Sequence, residues 1–357
     1  MLDRISTTCL VVTLLAPLPA VSEEAVQNAP PPKWYDTFEL HGLVDTYFSA
    51  NLDQAQSTAN PLRAFDQTNG FELSFAKLTA QLTPPKPYSV GFRADVGFGQ
   101  TASALMFRST PSSGDVVVEQ AFVSYKLPGD IVVDGGKFVT NAGAEVIEAK
   151  DDWLYSRSLL FSFAIPFTHT GLRVTIPVPR VAGLSVMAAL FNGWDNPPKE
   201  VGPQKMGHLA LVYAGPSSTT VTLNAMYGRN PYEKDDRLLL DGVVGRAFGP
   251  LSLNLNADYG RLGSASYWGI SGMARVAFFG DRLRISGRGE YLDDSDGIQV
   301  APPTPNKYWE GTLGLSVPLG STAELRLEGR HDRVDTGDLT PGKSYQTTVQ
   351  AAALAWF

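Results

Sequence analysis

Four histidines, His41, His169, His208 and His331, are the residues best suited to metal or acid–base chemistry, and their spacing gives them neither. They are separated by whole strand lengths, without the short paired interval of a metal site. The His-x-Ser spacing of barrel-type lipid hydrolases is also missing, because the positions two beyond each histidine are Leu43, Gly171, Ala210 and Arg333. The one cysteine, Cys9, falls inside a stretch that reads as a leader, so the mature chain offers no disulfide or thiolate ligand. The glycines at 97–99 and 135–136 lie in strand-like runs with no helix behind them, which rules out a phosphate loop. These observations predict no catalytic residue, no metal site and no cofactor.

What the chain does offer is charge of both signs at every second residue. Arg93 and Asp95 alternate with Phe92, Ala94 and Val96, and Glu324, Arg326, Glu328 and Arg330 alternate with Leu325 and Leu327. Arg173, Arg275, Arg284 and Arg288, with Glu39, Asp45, Asp258, Glu290 and Glu310, occupy the same kind of position. In extended chain such residues share one face and the apolar ones share the other. For most of these charges the simplest role is a solvated face or an ion pair between neighbouring strands. An Arg or Lys turned to lipid near the bilayer midplane would cost about 2–4 kcal/mol, so in a membrane this face needs an aqueous interior.

The elements that would position them are regular. Runs of alternating residues lie near 37–49, 71–83, 88–100, 116–127, 130–140, 167–178, 183–194, 204–214, 217–229, 237–248, 250–262, 266–279, 281–292, 307–318, 321–333 and 344–357, sixteen in all. Two of them, 71–83 and 237–248, change phase midway, for which a bulge is expected in each. Tight Gly- and Pro-bearing connections (84–87, 128–130, 179–182, 215–216, 249–250, 280–281, 320–321) alternate with mostly longer ones (50–70, 101–115, 141–166, 195–203, 230–236, 263–265, 293–306, 334–343). Soluble sandwich strands also alternate, but they run about 5–6 residues, whereas a tilted membrane strand needs about 9–11. Aromatic residues near the strand ends (Phe38, Phe48, Tyr88, Phe98, Tyr267, Trp268, Phe278, Phe279, Tyr308, Trp309) suit two interfacial girdles. The expectation is an all-β fold, a transmembrane up-and-down antiparallel barrel of about sixteen strands, closed by a last strand ending at Phe357.

Residues 1–20 read as a secretory signal: Arg4, an apolar run from Leu10 to Leu15, and a small residue at Ala20. Pro17 and Pro19 end that run far short of a spanning helix. Residues 21–36 form a polar lead-in, and 37–357 the barrel domain. A net charge of −7 gives no basic face for nucleic acid.

One stretch breaks the alternation, residues 141–166, NAGAEVIEAKDDWLYSRSLLFSFAIP. Trp153, Tyr155, Phe161, Phe163 and Ile165 are too many large apolar groups for a solvated coil, and Glu145, Glu148, Asp151, Asp152, Lys150 and Arg157 too many charges for a dry core. Such a segment suits folding into the mouth of something hollow. The run GKFVTNAGAEVIEAKDDWLYSRSLLFSFAIPFTHTGLRV (136–174), followed by FNGWDNP (191–197), resembles the OmpL-like β-barrel porins of Gram-negative outer membranes. The resemblance implies a passive pore for small hydrophilic solutes or ions, without cofactor. On it, 141–166 corresponds to a long third outer loop folded into the pore. It also implies outer-membrane lipid and lipopolysaccharide as surroundings, the barrel assembly machinery as a partner, and a homotrimer by analogy with porins. A barrel hydrolase and a structural or adhesin barrel are the alternatives.

The constriction is then expected from Glu145, Glu148, Lys150, Asp151, Asp152 and Arg157. The lumen wall is expected from Arg93, Asp95, Arg173, Arg275, Arg284, Arg288, Arg326 and Arg330. In this reading Trp153, Phe161 and Phe163 pack on the wall, and the four acids face water opposite Arg284, Arg288, Arg326 and Arg330. The acidic loop and the net charge lean towards weak cation preference.

Overall fold

The computed structural model describes residue 33 and residues 37–357 apart from 55, 107–114, 196–201, 217, 230–234 and 301–303. The expected leader at 1–20 and, Lys33 excepted, the expected lead-in at 21–36 lie outside the described residues. The strands are β1 (Phe38–Asn51), β2 (Gly70–Leu82), β3 (Val90–Phe98), β4 (Val116–Lys126), β5 (Val132–Val139), β6 (Thr168–Pro177), β7 (Leu184–Phe191) and β8 (Met206–Ala214). They continue as β9 (Thr219–Arg229), β10 (Asp236–Phe248), β11 (Leu251–Leu262), β12 (Ala265–Phe278), β13 (Leu283–Asp294), β14 (Asn306–Pro318), β15 (Ala323–Val334) and β16 (Tyr345–Trp356). Each pairs antiparallel with its neighbours in sequence, and β1 pairs with β16, so the sheet closes into a barrel of sixteen strands.

Alternation decides which way each side chain points. Along β15, Glu324, Arg326, Glu328, Arg330 and Asp332 are buried inside, while Leu325 and Leu327 are exposed on the outer face. The same holds around the barrel, where Val44, Phe92, Leu172, Leu209, Val244, Leu255, Ile270 and Leu313 all stand outward. A continuous apolar outer surface of this extent is untenable in water and is matched by lipid. Within the aromatic pairs, Trp268 and Trp309 are exposed, but Tyr267 and Tyr308 are buried and face inward, as the period of two requires of adjacent residues.

Three details depart from the sequence reading. The run 88–100 stops as a strand at Phe98, because Gly99, at φ 120°, turns the chain into a short helix, α1 (Gln100–Leu105). The expected bulge in β2 exists, with a register shift between Asp45 and Thr46 of β1, but β10 pairs without interruption on both sides. Its apparent phase change is chemical: Leu239 and Val243 face inward beside Arg237 and Asp241, and Val243 packs with Ala144 and Trp153 of the long segment. A second bulge, between Asp95 and Val96 of β3, is opposite β4, where both Glu119 and Gln120 become buried.

Closure is completed by the last residue. Phe357 exchanges backbone hydrogen bonds with Gly42 (3.1 and 3.2 Å), and its ring fills the space a Cβ on Gly42 would need. Phe357→Ala is therefore expected to lower the yield of heat-modifiable, folded barrel in the outer membrane; wild-type yield would exclude a closing role for this residue. An epitope tag between Asp294 and Asn306 should be reachable on intact cells, and one at Gly320–Ser321 should not. Reversed accessibility would mean the long connections face the periplasm.

Candidate functional site

The inner face of β12–β15 carries charge in rows set by the register. Glu290, Glu310 and Asp332 are cross-strand partners in one row, and Arg288, Thr312 and Arg330 in the next. Each guanidinium thus lies beside carboxylates on its own strand or one or two strands away. Arg288 pairs with Glu310 at 3.0 Å, Arg330 with Asp332 at 2.8 Å, Arg326 with Glu324 at 2.6 Å and Arg284 with Glu324 at 2.9 Å. Buried charge is tolerated only when paired and hydrogen-bonded, and here many of the remaining donors and acceptors are met by the segment 141–166 and by Leu62 and Arg63 of the first long connection.

The segment is bound residue by residue to that wall. Tyr267 Oη donates to the carbonyl of Ala164 (2.6 Å), and Glu290 accepts the N–H of Leu159. Arg288 donates to Glu145 (2.7 Å) and to the carbonyl of Ser156 (2.8 Å). Glu328 accepts the N–H groups of Tyr155 (2.6 Å) and Ser156, and Arg330 donates to the carbonyl of Arg157 (2.6 Å). Arg326 donates to the carbonyls of Ala149 (2.7 Å), Leu154 (3.0 Å) and Asp152 (3.0 Å), as only a planar, multiply donating fork can. Across the barrel, Tyr155 Oη donates to Asp45 of β1 (2.9 Å), and Lys77 of β2 is paired with Glu148.

Apolar contacts complete the seat. Leu154 lies where a Cβ on Gly314 would come within 2.7 Å of it, and Leu160 is placed in the same way over Gly269 (2.8 Å). Trp153 lies under the Arg275 guanidinium, 5.4 Å from the ring centroid. Leu160–Ala164 forms a single π turn, and Phe161 packs with Phe167 on Phe65 of the first long connection. That connection contributes Arg63, buried and paired with Asp66 (3.1 Å) and with Asp332 (2.8 Å).

Arg157, 2% exposed, is the segment's internal hub, donating to the carbonyls of Val146, Tyr155 and Ile147 and pairing with Asp152 at 3.3 Å. Burial pushes the Asp152 carboxyl well above the ordinary range, with Arg157 opposing and Glu145 reinforcing the shift. The expectation that all four acids face water is not met. Glu145 and Asp152 are buried, because Arg288 and Arg157 lie directly against them rather than across a gap. Glu148 and Asp151 are partly exposed, the latter paired with Lys150 at 2.7 Å. Of the expected wall residues, Arg275, Arg288, Arg326 and Arg330 meet the segment, while Arg284 pairs with Asp281 of the tight turn. Arg93, paired with Asp95, and Arg173, paired with Asp134, lie on the far wall of β3 and β6.

Sequence reasoning missed Lys77, Glu119, Lys137 and Arg63. The bulges hide the facing of Lys77 and Glu119, and Arg63 stands in a connection with no periodicity to read. The histidines take structural places: His169 stacks on Phe191 (4.0 Å between centroids), and His208 bonds Asn224 (2.9 Å).

Residues 37–357 match the family model described as "Putative beta-barrel porin-2, OmpL-like". No curated protein is matched by sequence. Among solved structures, OprB of Pseudomonas putida is similar with a TM-score of 0.65 at 12% identity, covering 90% of this chain and 94% of that one. A trimer form of OmpT of Vibrio cholerae gives 0.60 at 13% identity, with 90% and 99% covered. An anion-selective porin from Comamonas acidovorans gives 0.58 at 15% identity, again with 90% and 99% covered.

Arg326→Ala would leave Glu324 with Arg284 alone and take the wall donor from the carbonyls of Ala149, Asp152 and Leu154. Removing one partner of a buried pair costs about 3–5 kcal/mol. The expected outcome is a barrel that still resists heat denaturation on gels but is cleaved by added protease within 145–160. A segment as resistant as wild type would show that Arg326 does not hold it.

Proposed function

The chain belongs to the OmpL-like beta-barrel porin family, and on that premise we propose that it is a water-filled channel through which small hydrophilic solutes and ions diffuse down their gradients. It is an outer-membrane porin barrel, a channel and not an enzyme. The observation that carries the finer reading is the path of the long segment. It touches β12 at Tyr267 through Ala164 and again at Arg275 through Asp152, eight residues further along the strand. At about 3.3 Å per residue that is roughly 26 Å of strand. A segment spanning such a depth against the inner wall occupies part of the bore and narrows it against β2–β6. The constriction would then be bounded by Glu148, Lys150, Asp151 and Trp153 on one side and by Lys77, Arg93, Lys137 and Arg173 on the other.

The sign of selectivity follows from which member of each ion pair meets water, since buried pairs cancel locally. Arg93 is 19% exposed against 0% for Asp95, and Arg173 is 23% against 7% for Asp134. Lys150 is likewise more exposed than Asp151, while Glu148 exceeds Lys77. Arg275 has no carboxylate in ion-pair range among the described residues; Lys137 also has none, but it is buried and donates to the Val118 carbonyl at 2.8 Å, so it adds little to the water-facing count. The water-facing excess is basic, supporting weak anion preference, the opposite of what net charge suggests.

The remaining parts of the proposal are export with residues 1–20 removed and 21–36 as a periplasmic lead-in. Lipid and lipopolysaccharide would surround the barrel, and the assembly machinery would act on it. Assembly as a homotrimer is supported by the trimer form of OmpT.

In planar bilayers under a salt gradient, the reversal potential should lie on the anion side. Arg93→Gln with Arg173→Gln should move it towards cations, and a cation-selective wild type would refute the sign. Deleting residues 147–156 should raise single-channel conductance; unchanged conductance would place the constriction elsewhere.

A further inference from the structure

Within β9–β12 the inner wall carries two adjacent aspartates as well as Arg237 and Arg275. Asp241 and Asp258 are direct cross-strand partners, 5% and 4% exposed. Asp241 accepts the side-chain amides of Asn224 (2.6 Å) and Asn256 (2.8 Å), one on each carboxylate oxygen. Among the described residues Asp258 has no hydrogen-bond partner on either oxygen, and Ser271, its diagonal neighbour on β12, has a buried hydroxyl without one. Among the described residues no Lys or Arg pairs with either aspartate. A second acidic group, Asp95, Glu119 and Glu148, differs here, because the Lys77 ammonium already sits against all three.

Two adjacent carboxylates in a region of low dielectric repel each other and lose hydration, which a structure offsets by protonating one or by supplying a positive ion. Buried acceptors without donors call for the same explanation. The available donors are all oxygen: two carboxylates and a hydroxyl. All-oxygen sets of this kind suit hard cations such as Ca²⁺ better than Zn²⁺, whose sites are built mainly on nitrogen and sulfur.

We propose that Asp241 and Asp258 form a site for one hard divalent cation, Ca²⁺ foremost, bound in the barrel wall. Asn224 links that site to the start of the long segment, since the amide that donates to Asp241 also donates to the Asn141 carbonyl (3.1 Å). An ion there tightens Asp241 and, through Asn224, fixes the point where the segment leaves β5. Ion binding and segment mobility are thereby coupled, independently of which solutes the channel passes.

The test uses full-length mature protein refolded in lipopolysaccharide-free zwitterionic detergent and stripped with EDTA. Titration calorimetry with CaCl₂ should show one site per chain, and Ca²⁺ should raise the unfolding temperature. Asp258→Asn and Asp241→Asn, which keep shape and remove charge, should each weaken binding at least tenfold and abolish the thermal shift. Asp338→Asn, an exposed acid in the last long connection, should change neither. No binding by wild type at millimolar Ca²⁺, together with an unchanged or raised unfolding temperature in Asp258→Asn, would mean the two aspartates share a proton and would overturn the proposal. Binding that survives both substitutions would overturn it equally.

Discussion

In hydrocarbon a backbone N–H or C=O has no water to turn to, so every strand must be paired on both edges. The first and last strands meet that demand only by pairing with each other, and β1 and β16 do so along Leu43–Asn51. Without that seam the sheet would present two open edges to lipid, and no local propensity would hold it together. The mutual hydrogen bonds of Gly42 and Phe357 extend the seam to the final residue. The uniform antiparallel order and the tight turns at one end are compatible with closure because adjacent strands need only short connections.

Closure also separates two environments that the period of two then populates. Outward positions take Leu, Val, Ile and aromatic residues; inward ones take Arg, Glu and Asp. An inward guanidinium such as Arg330 is stable because Asp332 and the Arg157 carbonyl complete its donor set. The same wall then acts as a template for 141–166. The segment has little regular hydrogen bonding of its own, and the wall supplies partners for its carbonyls and amides through Arg326, Arg330 and Glu328. Glycines 269 and 314 provide the depressions into which Leu160 and Leu154 fit.

Much of this was legible in the residue order. Strand number, strand placement, the inward facing of Arg288, Glu290, Arg326 and Arg330, and the alternation of tight and long connections all follow from local rules: period-two patterning and turn chemistry act between residues a few positions apart. The unpatterned stretch 141–166 was visible too, by its break in period and its mixture of aromatic and charged residues. The bulges opposite Asp45 and in β4, which settle the facing of Lys77 and Glu119, were only half visible, because a bulge is a relation between two strands.

What only the tertiary structure decided is which charges face one another and which meet water. Glu145 read as a pore-facing acid and is buried against Arg288, 143 residues away in sequence. Arg63, in a connection without pattern, reaches Asp332, while Asp258 faces Asp241 with no basic partner among the described residues. Net charge counts all of these alike, but Coulomb energy depends on distance and dielectric, and both are fixed only when the barrel closes and the segment is seated. The sequence therefore determined the barrel and the two-faced wall; the pairing of its charges, and with it the field in the bore, belongs to the fold.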